Sequence, residues 1–250
     1  MVDSAPIPSA QRLASPALQE AKLLFGLPVI DQWLNGGLRR DGVHEFFTVM
    51  DADKSAATAF AFLLSARACP DTPLFWQRIA DSKREERVSA PGLIDLGLNP
   101  DRIILIELNT LEALLKAAVD SVRHGGLGAA ILEIDGRAPG YDLTASRRLA
   151  LAAERSGTMV MIVRSRARPS SSAAHSRWQV ASAPSVPLAA NAPGQTAFDL
   201  TLLRQRGGRE GLHLQLEWDR EHTRFRTPLS GGISTVSAGR AADRSASRAA

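Results

Sequence analysis

Continuous apolar runs, more than alternating ones, dominate the middle of this chain. Val43–Val49, Leu74–Gln77, Ile103–Leu108, Ala129–Ile134 and Met159–Val163 recur at intervals of about 30 residues. Runs of this kind suit strands buried on both faces of a parallel sheet. A different period fills the intervals. Leu111, Leu114, Leu115, Ala118, Val119 and Val122 fall on one helical face, with Asn109 and Glu112 spaced as a capping box and Gly125 as a stop. A second helix is expected over 143–156, between Asp142 as cap and Gly157 as stop. Alternation of strands and helices predicts an α/β fold: a mainly parallel β-sheet flanked by helices.

Both ends change character. Residues 1–10 are small and Pro-containing, while Leu13, Leu18 and Leu23 predict a short helix over 11–24. Ser165–Ser176 is rich in Arg, Ser and Ala without an apolar period, which predicts a loop. A short strand is expected at Trp178–Ala181 and a linker at Pro184–Pro193. Phe198, Leu200 and Leu202 then alternate with other residues, as do Leu212, Leu214, Leu216 and Trp218. Between them lies the Gly-rich turn Gln205–Gly211, so the domain closes on a C-terminal antiparallel hairpin. The predicted plan is an N-terminal extension over 1–24, one domain over 25–234 and a disordered basic tail over 235–250. Arg240, Arg244 and Arg248 in that tail would form one stripe if it became helical.

The first strand leads into chemistry. Val43–Thr48, a short loop, Lys54-Ser55 and an Ala-rich helical stretch have the layout of a phosphate-binding loop. That loop has the pattern G-x-x-x-x-G-K-[ST], yet Thr48 and Asp53 stand at its two glycine positions. Such a loop aims successive backbone N–H groups at phosphate, at the positive end of a helix. It needs glycine where φ is positive or the backbone comes close, and residues 44–60 contain none. Asp51 and Asp53 also place carboxylates where an anion would sit. Lys54, Ser55 and Glu133 are the candidate nucleotide-binding residues. The alternative is a solvated first-turn pair, with Lys54 neutralising Asp51 or Asp53 and Asp53 serving as the helix N-cap.

Composition narrows the setting. A chain of 250 residues, 44% hydrophobic, fits one α/β domain with extensions. The net charge of +4 permits nucleic acid or an acidic partner. Arg164, Arg166, Arg168 and Arg177 form a stretch without acids, open to weak DNA contact or to protein docking. Arg204, Arg206 and Arg209 flank the hairpin turn and either stay solvated or meet phosphate or an acidic partner. Cys69 is alone, and the five histidines lack ligand spacing, so no disulfide and no metal are expected. No signal peptide and no membrane-length apolar run is seen, which predicts a cytoplasmic protein.

A parallel sheet opening on such a loop and closing on a hairpin resembles the RecA core. Leu27–Gly42 looks like its lead-in, an apolar helix and a Gly-Gly-Leu turn. Ala90–Leu98, Asp142–Ala153, Ser176–Ser185 and Leu202–Gly211 resemble the ImuA family, RecA-like proteins of damage-inducible mutagenesis, over roughly residues 20–230. The resemblance implies an accessory role in translesion synthesis within the SOS response. Implied partners are a Y-family-like protein and an error-prone C-family DNA polymerase, with RecA itself a further one. RecA-type hydrolysis also implies a water-activating Glu after the second strand. Gln77 and Arg78 stand there instead, Asp81 comes late, and the Walker-B-like strand offers Glu133 with Asp135 beyond it. No catalytic residue and no cofactor are therefore assigned, and ATP with magnesium is left to these degenerate positions. Two other functions stay open: a divergent DNA-dependent ATPase, and a cell-division inhibitor of the SulA type.

Overall fold

The computed structural model describes residues 22–80, 89–185 and 194–228, and the backbone of 234–235. It opens on a small ladder in which β1 (Lys22–Leu23) pairs antiparallel with β2 (Leu38–Arg39) around the short helix α1 (Pro28–Trp33). The helix expected over 11–24 is corrected at its end, because Lys22 and Leu23 are extended; its remainder lies outside the described residues. The ladder depends on Gly37 at φ +107, where a Cβ would stand 2.4 Å from the Leu23 carbonyl oxygen.

The main sheet contains β3 (Val43–Thr48), β4 (Leu74–Ile79), β5 (Ile103–Leu108), β6 (Ala129–Asp135), β7 (Met159–Ser165), β8 (Ser176–Ser182), β9 (Ala197–Gln205), β10 (Leu212–Asp219) and β11 (Arg224–Arg226). Their order is β11-β10-β9-β8-β3-β7-β6-β4-β5, and β12 (Ser234–Thr235) pairs with β10. From β8 to β5 every neighbouring pair is parallel. From β8 outward to β11 the pairing is antiparallel. The mainly parallel sheet and the closing hairpin are thus as expected. One strand was underestimated. The short strand expected at Trp178–Ala181 is the longer β8, which joins the parallel and antiparallel halves, and the loop before it ends at His175.

Alternate residues of the central strands feed two cores, which is why these strands read as unbroken apolar runs. On one face Phe46, Ile131 and Met161 pack against α2 (Lys54–Ala68). On the other, Leu132, Val160 and Ile162 pack against α4 (Leu111–His124) and α5 (Leu143–Ser156). The short α3 (Ala90–Asp95) lies between β4 and β5 in sequence. The helix α2 is apolar on most sides and sits within its core. Its Phe60 ring lies 5.3 Å from Phe198, 5.4 Å from Phe225, 5.6 Å from Phe46 and 6.4 Å from Phe25, centroid to centroid. One side chain therefore ties the lead-in, the first main strand and the hairpin to α2, and it fixes how β3 enters that helix. Burial of such a ring stabilises by about 2–3 kcal/mol.

On the other face, α4 is capped by Thr110, whose Oγ accepts from the Ala113 N–H at 3.1 Å, so the cap is one residue later than the expected Asn109. The α5 cap is Asp142, accepting from Ala145 N–H at 2.8 Å, and Gly125 and Gly157 end the two helices in the left-handed conformation.

Candidate functional site

The junction between β3 and α2 is where a phosphate-binding loop would sit. Thr48 ends the strand, Val49 and Met50 point outward, and Asp51–Asp53 make one tight 3-10 turn before Lys54 starts α2. No residue of this turn has positive φ. Asp53 is only 2% exposed. Its carboxylate does not cap α2 forward, as an N-cap would, which corrects the expected role. One carboxylate oxygen accepts the Met50 N–H of its own loop at 2.9 Å. The other accepts the Ser182 N–H and hydroxyl, both at 3.0 Å, from the end of β8. A negatively charged group thus occupies the loop, and the loop itself supplies it.

Lys54 also differs from expectation. Its ammonium faces Glu133 at 3.8 Å, not Asp51 or Asp53. Glu133, buried on β6, accepts from the Thr58 hydroxyl and from the Trp76 indole N–H, each at 3.0 Å. Ser55 stands exposed one residue beyond Lys54. Thr58, one helical turn further along, is the α2 hydroxyl that bonds the acid. Asp51 lies 3.9 Å from Arg166. Asp135 at the end of β6 accepts from the Ser165 hydroxyl at 2.8 Å and from Arg166 Nε at 3.0 Å. Burial alone would raise the Asp135 carboxyl; the bonds from Arg166 and Ser165 and the charge of Lys54 outweigh it and hold it below the usual range. Three carboxylates, Asp51, Glu133 and Asp135, therefore face two cations, Lys54 and Arg166, and the fourth, Asp53, is seated on Met50 and Ser182.

At the second strand, β4 runs on to Ile79, so Gln77 and Arg78 are strand residues. Gln77 is fully buried and donates to the Ser121 hydroxyl at 3.0 Å. Arg78 pairs with Glu107 at 2.8 Å and lies over the Trp76 ring. Asp81 lies outside the described residues.

The basic residues split into two groups. Arg164 and Arg177 are buried, which corrects their placement in a solvent-facing stretch. Arg164 donates to the Ile134 and Gly136 carbonyls, both at 3.2 Å, and faces the Tyr141 ring; burial lowers its pKa. Arg177 donates to Glu45 at 2.8 Å and to Ser172 at 2.8 Å. Tyr141 donates its hydroxyl to the second oxygen of Glu45 at 2.7 Å. Burial first, then the Glu45 charge and hydrogen bond, raise the Tyr141 pKa well above normal. Arg166 is held by Asp135 at positive φ. Arg168, Arg204, Arg206 and Arg209 are exposed. Of these, Arg209 lies over the Trp33 ring at 5.6 Å, and Asn35 donates to the Gly207 carbonyl at 3.1 Å, so the hairpin turn rests on the lead-in. Sequence reasoning missed Glu45 and Tyr141. The signal was a lone carboxylate inside the apolar run Val43–Phe47, which demands a buried partner.

No family model matches this chain. Two relatives, each Protein ImuA from a strain of Caulobacter vibrioides, are 33% identical over 205 residues, 76% of this chain and 80% of the relative. The chain belongs to the ImuA family. The crystal structure of the RadB recombinase superposes at a TM-score of 0.54 with 14% identity, covering 82% of this chain and 99% of that one. At that identity the likeness shows the fold, which is RecA-like. The segments that carried the ImuA resemblance have definite places. Ala90–Leu98 forms α3 and its turn, where the Leu96 carbonyl accepts from the Trp218 indole N–H at 2.8 Å, so α3 is docked on the hairpin. The other three form α5, β8 and the β9 end of the hairpin turn. Among the described residues, no helix is long and apolar enough to cross a membrane.

Proposed function

We propose that this ImuA-family chain is a non-catalytic, RecA-like accessory protein of SOS-induced mutagenic translesion synthesis. It assembles a complex with a Y-family-like protein and an error-prone C-family DNA polymerase, and it contacts RecA. Family membership supports the role. The observation that carries the non-catalytic part is the Asp53 carboxylate seated on the Met50 N–H and on Ser182. A polyphosphate would have to displace that carboxylate and enter a site with a surplus of negative charge. The residues at the junction do not fit a magnesium–nucleotide complex: Glu133 is engaged by Thr58, Trp76 and Lys54, and Ser55 faces solvent. The fold persists as a platform after its chemistry is gone. Weak DNA contact belongs to the exposed Arg168, Arg204, Arg206 and Arg209 rather than to the buried Arg164 and Arg177. The setting is cytoplasmic.

The test is titration of a fluorescent ATP analogue with magnesium, with and without single-stranded DNA, beside Lys54→Ala. The expected result is no binding tighter than about 1 mM and no turnover in either protein. Binding that depends on Lys54, together with hydrolysis, would replace this proposal with a divergent ATPase.

A further inference from the structure

The two edges of the main sheet differ. One carries β11, three residues long, whose exposed Arg224 and Arg226 flank Phe225 and pair with Asp219 at 3.3 Å and Glu217 at 3.0 Å. Short length and charge keep a sheet edge from pairing with another chain. The other edge is β5, six residues long, in which Ile103, Ile104, Leu105 and Ile106 run without a charge and Glu107 pairs with Arg78. Ile104 is 45% exposed and Leu105 36%. The backbone of this strand is half used. The Leu108 carbonyl accepts the Ala80 N–H at 2.8 Å, so Ile104, Ile106 and Leu108 turn their backbone groups to β4, while Ile103, Leu105 and Glu107 turn theirs away. The Ile103 N–H is taken by the Pro100 carbonyl. The Ile103 carbonyl and both backbone groups of Leu105 and Glu107 have no strand beside them among the described residues.

We propose that β5 pairs antiparallel with β5 of a second copy of this chain, joining the two sheets into one. The strand is complementary to itself in the register centred on Leu105. There the outward backbone groups meet: Leu105 exchanges both of its bonds with the partner's Leu105, and the Ile103 carbonyl accepts from the N–H of the partner's Glu107. The side chains agree with this register. Leu105 neighbours Trp76, on the α2 side of the sheet, and meets its own copy there. Ile104 and Ile106 lie on the α4 side, where Gln77 beside Ile106 bonds Ser121, and they face the partner's Ile106 and the partner's Ile104. Four β-branched side chains thus close over one face of the seam. Glu107 falls opposite the partner's Ile103, which keeps the two like charges apart. The terminal segments of this chain fit the edge less well. Residues 1–21 contain Pro6, Pro8 and Pro16, which cannot donate to a ladder, and residues 229–250 never place two of Leu, Ile, Val or Phe side by side. The pairing goes beyond the accessory role and does not depend on it, since β5 carries none of the junction residues.

The experiment is sedimentation velocity of the full chain over a concentration series. A dimer should form with a dissociation constant between about 1 and 100 μM, in keeping with a small interface. Leu105→Pro removes an N–H that β4 does not use, so it should abolish the dimer and leave the β4–β5 ladder in place. Ile104→Lys sets a cation at an exposed position of the seam and should have the same effect; it serves as the second variant should Leu105→Pro melt early. The register is read by mild oxidation of an equimolar mixture of I104C and I106C chains. These positions face each other as a pair without mutual hydrogen bonds, at a spacing that a disulfide spans. The mixture should yield a covalent dimer and neither variant alone should do so, while Cys69 is buried. A chain that stays monomeric at about 100 μM overturns the proposal. So does a dimer that persists in both Leu105→Pro and Ile104→Lys, or cross-linking no better in the mixture than in the single variants. A monomer whose β5 amides gain hydrogen-exchange protection only when the Y-family-like protein is added assigns the edge to a strand of that protein and overturns the second copy.

Discussion

Arginines on β7 and β8 and arginines on α5 share a residue type and almost nothing else. Arg164 and Arg177 sit in the interior and donate to Glu45, Ser172 and two backbone carbonyls. Arg147, Arg148 and Arg155 stand in solvent without a carboxylate partner among the described residues. The first group ties neighbouring strands and loops together from the inside. The second contributes little to folding and is free to meet something else. Basic composition therefore says little about binding until burial has sorted the cations.

The sharpest way to break the comparison is to remove one arginine from each group. Arg177→Ala leaves the Glu45 carboxylate buried without its ion pair and should cost about 3–5 kcal/mol in urea unfolding. Arg148→Ala should change the same measurement by no more than about 0.5 kcal/mol. Similar losses for the two would mean that the interior network is not what stabilises the strand ends.

A second test is pH, read through a buried histidine of the interior. His44 on β3 is fully buried. Its Nε2–H must donate to the Arg39 carbonyl at 2.8 Å, so Nδ1 accepts from the Ser176 hydroxyl at 2.7 Å, and that hydroxyl accepts in turn from the Trp178 indole at 2.9 Å. A second proton on the ring would force the Ser176 hydroxyl to turn from donor to acceptor. Burial first of all lowers its pKa from 6.5 to about 4. The unfolded chain then takes up the proton before the folded one does. Stability from neutral His44 is complete above about pH 6.5 and is lost as pH falls toward about 4, for a total of about 3 kcal/mol. Thermal melts between these limits should show the drop, and His44→Gln should flatten it. A melt in His44→Gln as steep as in the wild type would assign the acid sensitivity to other groups.

A smaller loss than that of Arg177 or of neutral His44 belongs to the junction loop. Asp53→Ala removes the acceptor of two backbone N–H groups and one hydroxyl and should destabilise by about 2 kcal/mol, read by chemical denaturation. If the variant is as stable as the wild type, water serves these donors equally well and the loop is not closed by its own side chain.

The fold was legible because its strands are apolar on both sides and its helices carry their own caps and stops. Both signals are local in sequence. Asp142, Gly125 and Gly157 do what their positions predict, and even the cap that moved went only from Asn109 to Thr110. The candidate site was legible only in part. That Thr48 and Asp53 break the glycine pattern is visible in the chain. That Asp53 reaches Ser182, 129 residues away, and that Arg177 reaches Glu45 across 132 residues, is not. Partners at that separation are chosen by strand order, here by β8 lying against β3, and strand order is a property of the whole sheet. The same holds for Lys54, which looked toward its sequence neighbours and is instead paired with an acid from β6.

The Asp53 carboxylate has one more consequence. A dissolved anion stabilises a protein by an amount that follows its concentration. A carboxylate built into the chain cannot be diluted, hydrolysed or exchanged. Under the proposed function, the contribution of Asp53 to the β3–α2 junction is therefore the same whatever the supply of nucleotide, and this end of the molecule holds its shape equally in a starved cell and in a fed one.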